Sequence, residues 1–273
     1  MDEQQREESI LDFTRPWAER RGLESMESHV GSILVKASVD ELAEALAGIA
    51  IESKRNVLGS EIESSGCFVL TYQLVGQKWS AVLPDLIFDS EQLERCSRPS
   101  EAQLSALLGK PVIHIFVSDT AGYIGYKLFD NGEIIEYFSG SEESQFQDDN
   151  EYGLQTQRLE WMPYPEDDLE DDLEDDPGVI QTAYFWSQYR QINAEDIGNI
   201  WQFVDDFLRD HDAYDPAIDC RYFLGDWAPK RGVRYHIDNP GSTLNLGYSH
   251  SRQREEVTAV PDFLRIDYFR FGN

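Results

Sequence analysis

The acidic residues and the histidine between positions 205 and 219 are of the types that bind divalent cations. Asp206 and Asp210 lie four positions apart at the end of a predicted helix, followed by His211, Asp212 and Asp215. Carboxylates with one imidazole suit Mg²⁺ or Mn²⁺, which would make the chain a metal-dependent hydrolase or transferase. The same residue types are also usual in a helix-to-strand turn, and no fixed frame such as HExxH accompanies them. Turn chemistry is therefore the preferred interpretation.

A second candidate is the stretch PEDDLEDDLEDDPG, residues 165–178, in which Glu-Asp-Asp-Leu repeats. Nine of the eleven residues from 166 to 176 are acidic: Glu166, Asp167, Asp168, Glu170, Asp171, Asp172, Glu174, Asp175 and Asp176. A calcium loop needs a glycine at its sharp turn, and Gly178 comes only after the run. Three interpretations remain open, in this order of preference: a solvated spacer, a docking element for a basic protein partner, and a loop that binds Mg²⁺ or Ca²⁺.

A third candidate is a basic region in this otherwise acidic chain. Its members are Lys230, Arg231, Arg234, Arg252 and Arg254. Arginine forks match phosphate and carboxylate groups, so the region is a candidate anion-binding site. The preferred alternative is internal, because basic residues in so acidic a protein attract its own carboxylates, including those of the acidic run.

Motifs that define common enzymes are absent from the sequence. It contains no Walker A motif, no GxGxxG, no GxSxG and no zinc or haem motif. His114 lies in the middle of a predicted strand among apolar neighbours and is expected to be a satisfied core residue rather than a ligand. The chain is more readily explained as a binding protein than as an enzyme, and no cofactor is predicted beyond the Mg²⁺ or Ca²⁺ alternatives.

The charge of the chain restricts its partners. It has 52 acidic and 23 basic residues, a net charge of −29. Residues 141–177 contain fifteen acids and a single base, Arg158, so about half of the excess lies there, and we expect the remaining body to be acidic too. Such a charge repels nucleic acids and anionic membranes, whereas it favours cations, basic proteins or simple solubility.

The cysteines and the hydropathy favour a cytoplasmic protein. Cys67, Cys96 and Cys220 are odd in number and widely spaced, which predicts reduced thiols in the core rather than disulfides. The first residues are acidic and lack the apolar stretch of a signal peptide. No window approaches the roughly 18 apolar residues that a membrane-spanning helix requires.

The elements that position these candidates follow from periodicity and caps. A strand at 32–38 runs into a helix capped by Ser38 and Glu41, and a hairpin over 67–84 follows. A second capping box, Ser100 with Gln103, opens a short helix that stops at Gly109. Three strands between 111 and 138 form a meander, with a tight turn at 131–132. The order β-α-β-β-α-β-β-β predicts a mixed, mainly antiparallel α+β unit with helices packed on one face.

The second half shows a similar but looser pattern. It has strands at 155–164 and 179–190, a long helix after Asn193, a strand at 218–226, a loop-like region at 226–260 and a strand at 263–271. The predicted organisation is an N-terminal helical arm (1–27), an α+β half (28–140), an acidic, mostly flexible linker (141–178) and a second α+β half (179–273). The pattern leaves open whether the halves are two domains or share one sheet.

Taken together, these features favour a non-catalytic cytoplasmic interaction protein that binds a basic or cation-carrying protein partner. An inhibitor of the immunity type is one concrete version, by analogy of charge alone. The alternative is the metal-dependent enzyme built on residues 206–215.

Overall fold

The computed structural model describes residues 15–23, 32–57, 61–62, 66–84, 96–118, 123–141, 157–158, 184–187, 200–216, 218, 244–246, 257–259 and 261–272. After a 3-10 turn at Trp17–Glu19, the first part contains β1 (Gly22–Leu23), β2 (Ser32–Val35), α1 (Val39–Ala47), β3 (Glu52–Lys54), β4 (Phe68–Leu74), β5 (Ser80–Pro84), α2 (Glu101–Leu108), β6 (Val112–Ser118), β7 (Tyr123–Asp130) and β8 (Glu133–Ser141). The later part contains β9 (Gln157–Arg158), β10 (Tyr184–Ser187), α3 (Ile200–Asp210), β11 (Tyr214–Asp215), β12 (Leu244–Leu246), β13 (Val257–Ala259) and β14 (Phe263–Arg270).

Both predicted capping boxes are confirmed. The Ser38 hydroxyl accepts from the Glu41 amide at 3.2 Å, and the Glu41 carboxylate accepts from the Ser38 amide at 3.0 Å. Ser100 and Gln103 repeat the arrangement at the start of α2. These bonds satisfy amides that the first turn of a helix leaves without partners. Gly109, at φ 59°, ends α2 in the left-handed conformation that glycine adopts at little cost.

The predicted meander is confirmed as well. Strands β6, β7 and β8 pair antiparallel in sequence order. Asn131 and Gly132 connect β7 to β8 with φ values of 49° and 88°. Two successive left-handed residues match the twist of a tight hairpin, which explains why Asn-Gly occupies this turn.

Ten strands form one sheet, in the order β3-β14-β4-β5-β2-β6-β7-β8-β10-β9. Each neighbouring pair in this sheet is antiparallel, so the mixed, mainly antiparallel α+β class is confirmed. Strands from both predicted halves belong to it, because β14 lies between β3 and β4, and β10 pairs with β8. The question whether the halves share a sheet is thereby answered for these strands, while the domain boundaries themselves stay a prediction.

The helices cover both faces of the sheet rather than the single face expected. Helices α1 and α2 pack with Val69 and Phe269 on one face. On the opposite face Phe207 of α3 stacks on Tyr126, with ring centroids 3.6 Å apart. The reason is visible in β4, where all seven residues are buried, so apolar side chains point to both faces and both need cover. The polar side chain of Gln73 is buried there too. Its oxygen accepts a hydrogen bond from the Val39 amide, and its nitrogen donates one to the Gln77 carbonyl.

The part of the predicted N-terminal arm that the structure describes packs on this body. Trp17 is buried, and Gln77 donates from its side chain to the carbonyls of Trp17 and Arg20 at 2.5 and 3.1 Å. Within 15–23 the backbone forms a 3-10 turn and a short strand, while residues 1–14 and 24–27 lie outside the described residues. The region 226–260, expected to be loop-like, contains the antiparallel pair β12 and β13.

The expectation of reduced thiols is wrong for two of the three cysteines. Cys67 and Cys96 form a disulfide, with their Cα atoms 5.4 Å apart. The sequence did not predict this contact, because the two cysteines are 29 positions apart and come together only when β4 and the segment before α2 are placed by the folded sheet. Cys220 lies outside the described residues. Among the described helices, none has the length and apolar character to cross a membrane.

Candidate functional site

Helix α3 presents the predicted metal-binding acids at the end of an amphipathic segment. Trp201, Val204 and Phe207 are buried against the sheet, whereas Asp206 and Asp210 are exposed. Asp206 accepts a hydrogen bond from Gln202 at 2.9 Å, one helical turn earlier. The apolar stripe therefore fixes which side of α3 carries the carboxylates, as the 3.6-residue period predicts.

Asp212 lies just beyond the helix and connects three parts of the chain. It forms ion pairs with Arg21 of the N-terminal segment and with Lys78 of the β4–β5 turn, the latter at 2.5 Å. The hydrogen bond from Lys78, together with that from Arg21, holds the pKa of Asp212 below its ordinary value despite partial burial. This carboxylate is therefore already engaged by two cations.

The remaining two residues of the predicted cluster also contact the body. The His211 ring packs against Phe207, with centroids 4.6 Å apart, and its backbone carbonyl accepts from the Trp79 indole at 3.1 Å. Asp215 is buried in β11, which pairs with β1. Within the described part of the chain, no group of three or more His, Cys, Asp and Glu side chains is placed to hold a metal ion. The metal site at residues 206–215 stays a prediction that this geometry does not support.

Asp205, next to the predicted ligands, has a positioning role that the sequence did not reveal. Its carboxylate accepts from the Leu23 amide at 2.7 Å and pairs with Arg209 at 2.7 Å. It thereby fastens β1 to α3. The ion pair could have been predicted, because Arg209 follows Asp205 by four positions on a helix. The contact with Leu23 could not, because the two residues are 182 positions apart.

The acidic run at 166–176 and the basic residues at 230–254 lie outside the described residues. Docking of a basic partner by the run and anion binding by the basic group both stay predictions.

The negative charge is uneven along the sequence. Residues 141–177 have fifteen acids and one base, so they carry −14 of the total −29, and the other 236 residues carry −15. The run from 166 to 176 contains nine of these acids and no base.

Several acids of the described part form ion pairs with basic side chains of the same fold. Asp267 is fully buried on β14, where it accepts from the Asn56 amide at 2.8 Å and pairs with Arg265 at 2.9 Å and with Arg55 at 3.6 Å. Arg265 also reaches Asp40 at the start of α1, at 2.5 Å. Desolvation opposes the charge of Arg265, yet its bonds to Asp40 and Asp267 raise its pKa. This network joins β14 to α1 and to the segment after β3.

His114 on β6 is half-buried and faces α2. Its Nδ1 lies 3.5 Å from the Glu101 carboxylate, and its ring meets Phe116 edge to face at 5.8 Å. Burial lowers the pKa of His114, Glu101 opposes that shift, and Lys127 and Arg98 add to it. The expected structural role of this histidine is consistent with its packing.

Comparison with known proteins gives no relative: no family model, no curated protein and no solved structure matches the chain.

Proposed function

We propose that the chain is a non-catalytic cytoplasmic interaction protein whose acidic run, residues 166–176, binds a basic protein partner. One observation carries the proposal: the run has nine acids in eleven residues and no base, and residues 141–177 carry −14 of the chain's −29. About half of the negative excess is thus concentrated in a short stretch of sequence, as in proteins that attract a partner electrostatically.

The pairing of acids in the body supports this division of roles. Asp205, Asp212 and Asp267 each contact a basic side chain of the same fold. Such carboxylates hold elements together and are not available to a partner. The nine carboxylates of the run, in contrast, come with no base among residues 166–176. Their mutual repulsion falls when cations approach, which favours a basic surface over a neutral one.

The pairing of Asp212 argues against the metal-dependent enzyme as a second function. Such an enzyme needs carboxylates that are available to a cation, and Asp212 is engaged by Arg21 and Lys78. An ion at this position would have to displace two cations that already lower the pKa of Asp212.

Capture from the native cell's lysate tests the proposal. The baits are the full chain and a variant lacking 166–176, each washed at low and at high salt. We expect a basic protein that the full chain retains at low salt and that either the deletion or high salt releases. Recovery of the same proteins by both baits at both salt concentrations would overturn the proposal.

A further inference from the structure

The disulfide between Cys67 and Cys96 joins the segment before β4 to the segment before α2. Cys67 immediately precedes β4, an inner strand, and Cys96 lies four residues before the N-cap of α2. The Cα separation of 5.4 Å is within the usual range for a disulfide, about 4.4–6.8 Å. Cys67 is buried at 2% exposure, whereas Cys96 is only partly buried.

The same two connections hold the end of β14. The Cys67 carbonyl accepts from the Phe271 amide at 2.8 Å. On the other side of the disulfide, the Ser97 amide and hydroxyl donate to the Gly272 carbonyl at 3.1 and 2.8 Å. We call Cys67, Cys96, Ser97, Phe271 and Gly272 the C-terminal clasp. The S–S bond joins Cys67, which accepts one of these hydrogen bonds, to Cys96, the neighbour of Ser97, which donates the other two.

Both redox states of the pair fit this environment. Cys67 and Cys96 belong to the apolar cluster that also contains Val69, Phe269 and Phe271. A reduced cysteine behaves as a small apolar side chain, so the dithiol packs there without an uncompensated charge. Cys96 is the more exposed residue of the two and lies outside helix and strand, which makes its sulfur the expected point of attack by a small thiolate.

We infer that Cys67 and Cys96 are a reversible thiol–disulfide site for a small thiol of the glutathione class, and that its state sets how firmly the end of β14 is held. For opening, a glutathione thiolate attacks the Cys96 sulfur, the S–S bond breaks, and the Cys67 thiolate leaves and takes a proton. A second glutathione thiolate attacks the mixed disulfide, releasing Cys96 as a thiol and glutathione disulfide as the oxidised product. Closing is the reverse, with glutathione disulfide as the oxidant.

This site goes beyond the proposed partner binding, and its resting state rests on the cytoplasmic location in that proposal. In a reducing compartment the pair rests as the dithiol and closes when the glutathione pool becomes oxidised. The disulfide then adds a covalent bond to the three hydrogen bonds of the clasp. The consequence is local, at Ser97, Phe271 and Gly272.

A redox titration of the folded chain tests the inference. Protein carrying Cys220→Ser is equilibrated with varied ratios of reduced and oxidised glutathione, its free thiols are alkylated, and the intact mass is measured. We expect the two alkyl groups to be lost together as the ratio becomes oxidising and regained on reversal. The control Cys96→Ser should keep one alkylated thiol at Cys67 and show no intramolecular transition.

Hydrogen exchange on the two end states tests the structural consequence. The Ser97 and Phe271 amides should exchange at least about tenfold faster in the reduced form, with β7 amides unchanged. A bond that never forms, or one that opens only after unfolding, overturns the inference. Equal exchange of these two amides in both redox states overturns the clasp as well.

Discussion

At the level of single residues, contacts between distant positions explain the local geometry. Asp212, a predicted metal ligand, is bound by Arg21 and by Lys78. Replacing it in Asp212→Asn should lower the free energy of unfolding by about 1 kcal/mol, since the pair is partly exposed. Asp206→Asn, which alters a residue bonded to its own helix neighbour, is the control and should cost less. Urea denaturation of both variants measures the difference.

The sign of the pH dependence follows from the depressed pKa of Asp212. The stabilisation is complete above the ordinary aspartate pKa and is lost as pH falls through the lower, folded-state pKa. The gap between wild type and Asp212→Asn should therefore be full at neutral pH and close in strong acid. A gap that widens with acid would contradict this account.

Addition of Mg²⁺ or Mn²⁺ examines the same residues as ligands. Because Asp212 is engaged by two cations, we expect micromolar metal to leave the melting temperature unchanged in wild type and in Asp210→Ala. A rise in wild type that Asp210→Ala removes would restore the metal-dependent enzyme as the better account.

His114 gives a second pH dependence, which comes from a basic rather than an acidic side chain. Burial lowers its pKa in the folded state, so the unfolded chain binds its proton first as pH falls below the ordinary value of about 6.5. Stability from this group is full above that pH and is lost below it. His114→Gln should therefore lose less stability than wild type between pH 7.5 and 5.5, compared by urea denaturation at each pH. An equal loss in both proteins would assign the pH effect to other groups.

These residues also show what a sequence can reveal at this scale. Ser38 and Glu41 are three positions apart. Their capping box was predicted because helix geometry fixes the distance between residues at this spacing. Arg21 with Asp212 and Cys67 with Cys96 are 191 and 29 positions apart. Nothing local specifies such pairs, since they exist only once the sheet has aligned their elements.

At the level of elements, periodicity located strands and helices but not their neighbours. The predicted strands at 111–138 agree with β6, β7 and β8 because short turns force sequential strands to pair. β14 was predicted as a strand, yet its place between β3 and β4 was not, because a long connection leaves many partners open. The placement of α3 on the face opposite α1 and α2 was missed for the same reason.

The cover that α3 provides can be measured directly. Phe207 is fully buried and stacks on Tyr126. Phe207→Ala should lower the free energy of unfolding by about 3–5 kcal/mol, through lost burial and the cavity left behind. Ser100→Ala, which removes only one capping bond, should cost about 1 kcal/mol and serves for comparison. Equal losses would show that α3 is not part of the core.

At the level of the whole molecule, the negative charge is concentrated in one part of the sequence. Residues 141–177 carry −14 of the total −29. We expect the run to be solvated, so deleting residues 166–176 should change the free energy of unfolding by less than about 1 kcal/mol. A larger loss, measured by urea denaturation, would show that the run packs on the body. The sequence alone revealed the charge of the run.

The most direct measurement asks whether the nine carboxylates of the run itself, rather than net charge, retain the partner. One variant replaces them by amides: Glu166, Asp167, Asp168, Glu170, Asp171, Asp172, Glu174, Asp175 and Asp176. Its matched control replaces nine acids elsewhere: Asp2, Glu3, Glu7, Glu8, Glu142, Glu143, Asp148, Asp149 and Glu151. Both variants have the same net charge, and both are used as baits in low-salt lysate beside wild type. We predict that the basic partner is retained by wild type and by the control and is lost from the first variant. Equal retention by the two variants would contradict a binding role for residues 166–176.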